Sequence, residues 1–573
     1  MRTIFNSVPA KIPKRNRFNL SHQVKTTFEM GQLVPFFCEP VLPNDRFKIK
    51  TAQLVRFAPL LAPIMSNVDV YIHFFFVPTR LVWDKWEDFI TQSINGKQVD
   101  SSLLPIYPTI TYTSNDDVSK IGSKSLADYL GFQPVKGKIA TKYELDQLPF
   151  RVYQRIWFDY YRDENLSNLN DFQFSSYSGN VNVSDTPTSY DGDFETELMT
   201  LKRRAWKKDY FTSALPFPQK GDSVYLPFGE IEVNGDGTVI KLSEDSKVAQ
   251  GFKGYAVNGT INPPADIVLS SPISGNLNNP SNFVLGASSS TGSNTAIIEG
   301  INPNKYGVNS QQMAQHLTVE GAPIATITEL RRAYAAQRFL ERKALGGSRY
   351  QEQNFAFFGI KGKDSRLQRA EFLGGMKSPV VVSQVLQTSS TTTNTPDSSP
   401  SPLGQPAGNA VSAGSKYIFD RTFSEYGYIM GIISVIPKAD YTQGVPKKYL
   451  KRDVYDFYWP QFAKIGEQPI ERQELFYDTT NYSRNKETFG YTPRYAEYRF
   501  INNKVNGDFR DTLSFWTLAR NFNQTQFLNE SFITCNPSND IFAVRDTQFS
   551  HLWCLIDINC KTLRPITKYG EAY

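Results

Sequence analysis

Few side chains in this 573-residue sequence are equipped for covalent or metal chemistry; there are four histidines and four cysteines. His22, His73, His316 and His551 lie far apart, and none stands in a ligand or triad spacing. His73 falls within an apolar, strand-like run, which fits packing better than proton transfer. His551, Cys554 and Cys560 have the residue types of a zinc site. However, Leu552, Cys554, Ile556, Ile558 and Cys560 alternate onto one strand face while His551 falls on the other, so the cysteines read as small core hydrophobes. Asp191, Asp193 and Glu195 begin like a calcium loop but lack its glycine and terminal glutamate, and read as a solvated loop. Phosphate-binding glycine loops, zinc-protease helices and serine elbows are missing from the sequence. Nothing identifies the paired carboxylates of a polysaccharide-cleaving enzyme. The expectation is a protein without catalytic residues, metal or cofactor.

What remains is charge beside aromatic rings, the chemistry that neutralises phosphates and stacks bases. The first 28 residues hold Arg2, Lys11, Lys14, Arg15, Arg17 and Lys25 and no acid. Lys202, Arg203, Arg204, Lys207 and Lys208 surround Trp206, and Lys447, Lys448, Lys451 and Arg452 flank Tyr449. The candidate nucleic-acid contacts are Lys11, Lys14, Arg15 and Arg17, then Lys202 to Lys208 with Trp206. A solvated face or an inter-subunit salt-bridge surface fits the same clusters. Between Asp222 and Glu320 the balance reverses: nine acids against four lysines give −5, leaving +11 on the rest of a chain whose total is +6. Such asymmetry suits two faces that meet different partners.

The elements that must carry these groups are mostly strands. Aromatic residues make up 14% of the chain, and 36 Gly and 34 Pro punctuate it, which favours short strands and irregular loops over long helices. Val68, Val70, Ile72, Phe74 and Phe76 fall on one side of a pleat, and further strand runs occupy Tyr428 to Pro437 and Leu552 to Cys560. Short helices are expected around Val82–Ile90 and Tyr153–Tyr161. A longer basic one starts at the capping box Thr326–Glu329, stops at Gly346-Gly347, and carries the apolar stripe Leu330, Ala333, Tyr334, Leu340 and Ala344. Residues 220–322 read as an exposed β-rich insertion or else a disordered linker. Its hairpin turn is Asn234-Gly235-Asp236-Gly237, and Ile267-Val268-Leu269 is an apolar run that clustered copies would bury. Thr388 to Ala413, rich in Ser, Thr and Pro, reads as a surface loop. The start, Met1 to Asn6, has no apolar core of signal-peptide length, the longest apolar stretch, Tyr428 to Pro437, is far short of a membrane span, and the few scattered cysteines suit a reducing compartment.

Several blocks resemble the major capsid protein of the gokushoviruses, the small icosahedral single-stranded DNA phages of the Microviridae. They include Phe74-Phe75-Phe76-Val77-Pro78-Thr79-Arg80-Leu81-Val82-Trp83, Glu329-Leu330-Arg331-Arg332-Ala333, Gly346-Gly347-Ser348-Arg349-Tyr350, Glu371-Phe372-Leu373-Gly374-Gly375, Tyr455-Asp456-Phe457-Tyr458-Trp459-Pro460 and Arg494-Tyr495-Ala496-Glu497-Tyr498. The resemblance implies a viral jelly roll: an eight-stranded antiparallel β-sandwich with long loop insertions and a few short helices. It further implies a T=1 icosahedral shell of identical chains around circular single-stranded DNA, assembled in the bacterial cytoplasm. An internal scaffolding protein, a DNA pilot protein, a small basic DNA-packaging protein and a host surface receptor are its implied partners.

On this basis residues 1–28 are expected to be a basic arm, residues 29–219 and 323–573 one discontinuous shell domain, and residues 220–322 a surface protrusion at the threefold axes. A phage tail or adhesin-type β protein that binds glycans is the alternative. It would be a monomer or trimer rather than a closed particle.

Overall fold

The computed structural model describes residues 14–94, 97–98, 100–113, 116–167, 180–182, 194–222, 224, 327–347, 349–360, 363–386, 406–546 and 548–569, and seven short strands between 233 and 319. The chain divides into two compact units, one of residues 1–221 and 340–573, the other of residues 222–339.

The larger unit is built on two antiparallel sheets. In chain order its strands are β1 (Asn16–Asn19), β2 (His22–Phe28), β3 (Val34–Val41), β4 (Arg46–Phe57), β5 (Val68–Pro78), β6 (Glu371–Pro379), β7 (Val381–Leu386), β8 (Pro406–Thr422), β9 (Gly427–Pro437) and β10 (Leu552–Arg564). One sheet has the order β10-β4-β8-β7, with β1 and β2 both lying along the outer edge of β10; the other has the order β6-β5-β9-β3. Strands β3, β4 and β5 change sheet at each step, and strands from either side of the long excursion interleave. Thus β5 lies between β6 and β9, and β4 between β10 and β8. Two four-stranded sheets face to face form a viral jelly roll.

The interior follows from period-two alternation. Phe47, Ile49, Val55 and Phe57 of β4 pack against Val70, Ile72, Phe74 and Phe76 of β5, and Leu552, Cys554, Ile556, Ile558 and Cys560 of β10 join the same core. The opposite face of β5 and β9 is covered as well. Phe75, Val77, Met430 and Ile432 pack on Trp83, Tyr112, Phe150, Tyr153 and Ile156, several of them from helix α1 (Leu148–Ile156) and the loops around it. Burial on both faces is why these two strands read as nearly continuous apolar runs. The three interior thiols, Cys535, Cys554 and Cys560, are buried and desolvation pushes each up to about 12.

Two expectations need correction. Residues 406–413 are not loop but the first half of β8, where Ala410 and Ser412 are fully buried. The strand is cryptic because its inward positions are small: a Cβ on Gly414 would lie 2.3 Å from Ser378 Oγ, and one on Gly408 2.5 Å from the Ala62 carbonyl. Helix α2 (Ile327–Leu345) forms as expected, yet of its apolar stripe only Ala344 is buried, while Leu330 and Tyr334 are exposed. His551, just ahead of β10, is also buried: it is 2% exposed and stacks on Phe542.

In the smaller unit the described strands are all antiparallel: Val233–Gly235 with Leu317–Val319, Ser243–Glu244 with Lys247–Val248 and Tyr306–Gly307, and Phe283–Ala287 with Asn294–Ile298.

Candidate functional site

Lys11 lies outside the described residues. Lys14 and Arg15 are exposed just ahead of β1, and Arg17 is exposed within it, paired with Leu563 of β10. From Asn16 onward the basic segment is therefore an edge strand of the shell rather than a free arm. It showed little apolar periodicity because only Val24, Thr26 and Phe28 of β2 turn inward, leaving Gln23, Lys25 and Thr27 in solvent.

The Lys202–Lys208 run is mostly internal. Trp206 is 4% exposed, packed with Ile436 and Cys535, and its ring lies 5.0 Å beneath the Arg520 guanidinium. It has no free face for a base, so the stacking role expected of it is corrected. Backbone bonds fasten this run on both sides: Arg204 N–H donates to the Gly31 carbonyl (2.8 Å), Trp206 N–H to Ile533 (2.8 Å), and Cys535 N–H to Arg204 (2.8 Å). Such extended pairing turns alternate side chains inward. Arg203 donates to the Met30 carbonyl at 3.1 Å. Arg204 lies 4.4 Å from the Tyr71 ring centre and donates to Ser434 Oγ. Lys202 sits 4.8 Å over Trp157, and desolvation holds its pKa below the usual lysine value. Lys208 pairs with Asp163 at 2.6 Å, and Lys207 is exposed. Lys202, Arg203 and Arg204 are half-buried, and only Lys207 and Lys208 of the run are exposed.

Of the expected protrusion residues, Asn234 and Gly235 belong to the strand paired with Thr318 and Leu317. The rest of the expected hairpin, at 231–232 and 236–240, lies outside the described residues. Asp236, Gly237, Ile267, Val268 and Leu269 lie outside the described residues, as do Asp191 and Asp193.

One basic and aromatic cluster does stand at the surface. Every residue from Arg452 to Gln461 is exposed, held in short 3-10 turns at Val454–Asp456 and Pro460–Phe462. A second segment backs it: Tyr495 Oη donates to the Phe457 carbonyl (3.2 Å), Tyr458 packs on Tyr495 with ring centres 5.0 Å apart, and Lys451 bonds Tyr498. The lysines lie over rings, Lys448 4.8 Å from the Tyr449 centre and Lys451 4.0 Å from that of Tyr498. Sequence reasoning found Lys447, Lys448, Lys451, Arg452 and Tyr449 but not their union with Tyr498. That union depends on a contact across 47 residues.

His551, Cys554 and Cys560 do not converge on a metal. The His551 ring makes two bonds to Glu29 (2.9 and 3.0 Å from Nδ1) and one to the Val544 carbonyl (2.9 Å from Nε2), which tie the start of β10 to the end of β2. Among the described residues, no three His, Cys, Asp or Glu side chains are grouped to hold a metal ion, and no helix is long and apolar enough to cross a membrane.

A jelly roll with long inserted loops, in which His551, Cys535, Cys554 and Cys560 are buried, is the fold class of viral shell proteins. Similarity to known proteins agrees over the full length. The family model described as "Capsid protein (F protein)" matches residues 6–573. Capsid protein VP1 of Chlamydia phage 1 is 34% identical, covering 100% of this chain and 97% of the relative. Capsid protein VP1 of Bdellovibrio phage phiMH2K is 32% identical over 99% and 96%, and that of Spiroplasma virus 4 is 27% identical over 91% and 87%. The chain belongs to the phage capsid protein (F protein) family. It is a major capsid protein of the Microviridae type, a structural component of the virion and not an enzyme.

Proposed function

We propose that this chain assembles into a T=1 icosahedral shell, one copy per asymmetric unit, around a circular single-stranded DNA genome in the cytoplasm of a bacterial host. The observation that carries this reading is the full-length match to phage capsid proteins on a jelly roll whose strands come from both ends of the chain. An internal scaffolding protein, a DNA pilot protein and a small basic packaging protein are its assembly partners.

Residues 220–322 are proposed as the outward protrusion that meets the host surface receptor. The −5 carried by residues 222–320 sets this segment apart from the basic remainder, and a division of the chain at residues 222–339 supports treating it as a separate element. Replacing 220–322 by a short linker should leave particles assembling while host attachment falls. Loss of all assembly would place the segment in the shell wall.

The N-terminal cations are proposed to contact the genome. On single-stranded DNA each neutralised phosphate contributes about −0.7 to the log–log salt slope, so Lys11, Lys14, Arg15 and Arg17 together account for roughly −3. Neutralising all four should give intact shells with poor DNA retention. Failed assembly with unchanged DNA affinity of the free subunit would instead make the segment a subunit contact, as its place along the edge of β10 also allows.

A further inference from the structure

We propose that the surface formed by residues 446–465 and 494–504 is a single-stranded DNA-binding face, with its cations on phosphates and its exposed rings stacked on bases. The proposal rests on the reading that the shell encloses such a genome.

Charge is the first argument. Residues 446–465 hold five basic and two acidic side chains, and residues 494–504 hold three and one, so these two short segments carry a net +5 in a chain of total +6. Lys447 is paired with the buried Glu474 at 3.4 Å, whereas the two acids of the first segment are turned onto backbone groups. Asp456 Oδ2 accepts from the backbone N–H groups of Arg452 (2.8 Å) and Asp453 (2.9 Å), and Asp453 Oδ1 accepts from that of Val454 (2.6 Å). Lys448, Lys451 and Arg452 are in no ion pair among the described residues. Most chains pair or disperse such charge, whereas an anionic ligand gives the cluster a use.

Aromatic exposure is the second. Tyr449 and Tyr455 are each 61% exposed, Phe457 54% and Tyr498 55%. Rings left in water at this density mark a binding surface. Here they are interleaved with cations, the composition that lets a strand alternate phosphate and base contacts without reading base edges. Lys451 lies 5.1 Å from the Phe457 ring centre and 4.0 Å from that of Tyr498, so the spacing between ring and cation is already set in the free subunit. A second copy meeting this surface through the same surface would oppose positive charge to positive charge. The acidic 222–320 segment of another copy is the protein occupant with matching charge, and the test separates it from DNA.

The test uses the full-length unassembled subunit and fluorescein-labelled oligo(dT), titrated over a salt series, with oligo(dA) in parallel. The triple variant K448Q, K451Q and R452Q should bind more weakly and lose about 2 from the salt slope. The double variant Y449A and Y455A should keep the slope and bind roughly 5- to 150-fold more weakly for each stack lost. All substituted side chains but Lys451 are exposed, and near-ultraviolet circular dichroism checks that both variants fold. Oligo(dT) and oligo(dA) should respond alike.

If wild type binds and both variants bind equally well, this surface is not the DNA face although the genome reading stands. If wild type has no affinity even at low salt, the proposal fails, and the genome would be held through the basic packaging protein instead. Variants with normal oligonucleotide binding that no longer form shells would assign the surface to subunit contact and overturn the proposal.

Discussion

Phe74→Ala tests the interior of the sandwich where the geometry leaves least room to adjust. Phe74 is fully buried, and the residues paired with it on the two neighbouring strands are both glycine, Gly374 on β6 and Gly431 on β9. Its ring lies against Gly431, where an added Cβ would come within 3.0 Å of it, and packs on Phe36 (5.5 Å between centres, edge to face), Phe37 (5.8 Å) and Phe419 (6.1 Å). Removing the ring forfeits about 2 kcal/mol of transfer free energy. A void of ~100 Å³ that hydrogen-bonded strands and glycines cannot close adds about 2 kcal/mol more. The total, about 4 kcal/mol, lies within the usual range for a buried Phe→Ala change. Hydrogen exchange of the β5 amides in the unassembled subunit is the assay, because these amides report the opening of the sandwich. They should exchange roughly a thousand-fold faster in the variant. Trp553→Ala is the control: it lies on β10 beside Cys554 but faces outward and is 48% exposed, so its effect should be under about 1 kcal/mol. Less than a tenfold change for Phe74→Ala, or equal effects for the two variants, would refute this description of the core.

Gly431→Ala should destabilise by about 1–3 kcal/mol in urea unfolding, since its new Cβ would lie 2.8 Å from Phe36 Cζ and 3.0 Å from Phe74 Cε1; an unchanged midpoint would contradict the packing. Burial, and secondarily Arg204, lowers the His73 pKa to about 4, so the folded state resists a proton that the unfolded state takes up near pH 6.5. Stability from this neutral histidine is present above pH 6.5 and lost as pH falls toward 4, by about 3 kcal/mol at most; His73→Gln should flatten the urea midpoint over that range, and an identical pH profile would count against it. Ellman's reagent at pH 8 should leave Cys535, Cys554 and Cys560 unlabelled in the native subunit and label them in urea, because burial raises all three thiols to about 12. A fragment of residues 323–573 should not fold cooperatively, because β6 and β9 would lack β5 between them and β10 and β8 would lack β4; a sharp unfolding transition in that fragment would refute the interleaved topology.

What was legible in the sequence was whatever had a strong apolar period. β5, β9 and β10 stood out because Val, Ile and Phe fill their inward positions, and α2 because a clear stop follows it. β8 was hidden because Ala410 and Ser412 face inward where larger residues were sought, and β2 because an edge strand with one covered face needs few apolar residues. The surroundings of the cations in Lys202–Lys208 were not legible for a different reason. Local composition cannot tell an arginine in solvent from one lying over a tyrosine and donating to a serine, and Arg204 is the second kind. Conversely, the surface around Tyr449 and Tyr498 was half visible as a basic run, while the contact that completes it is long-range. Residue-by-residue reading reached the strands, and the block resemblance reached the family, where patterning alone would have left a generic β protein.

Electron microscopy of the full-length chain expressed with its natural assembly partners tests the central claim most directly. Closed icosahedral particles of one small size, built from this chain as the shell subunit, are expected. Monodisperse monomers or trimers under those conditions, with no closed particle, would contradict it and favour the adhesin-type alternative.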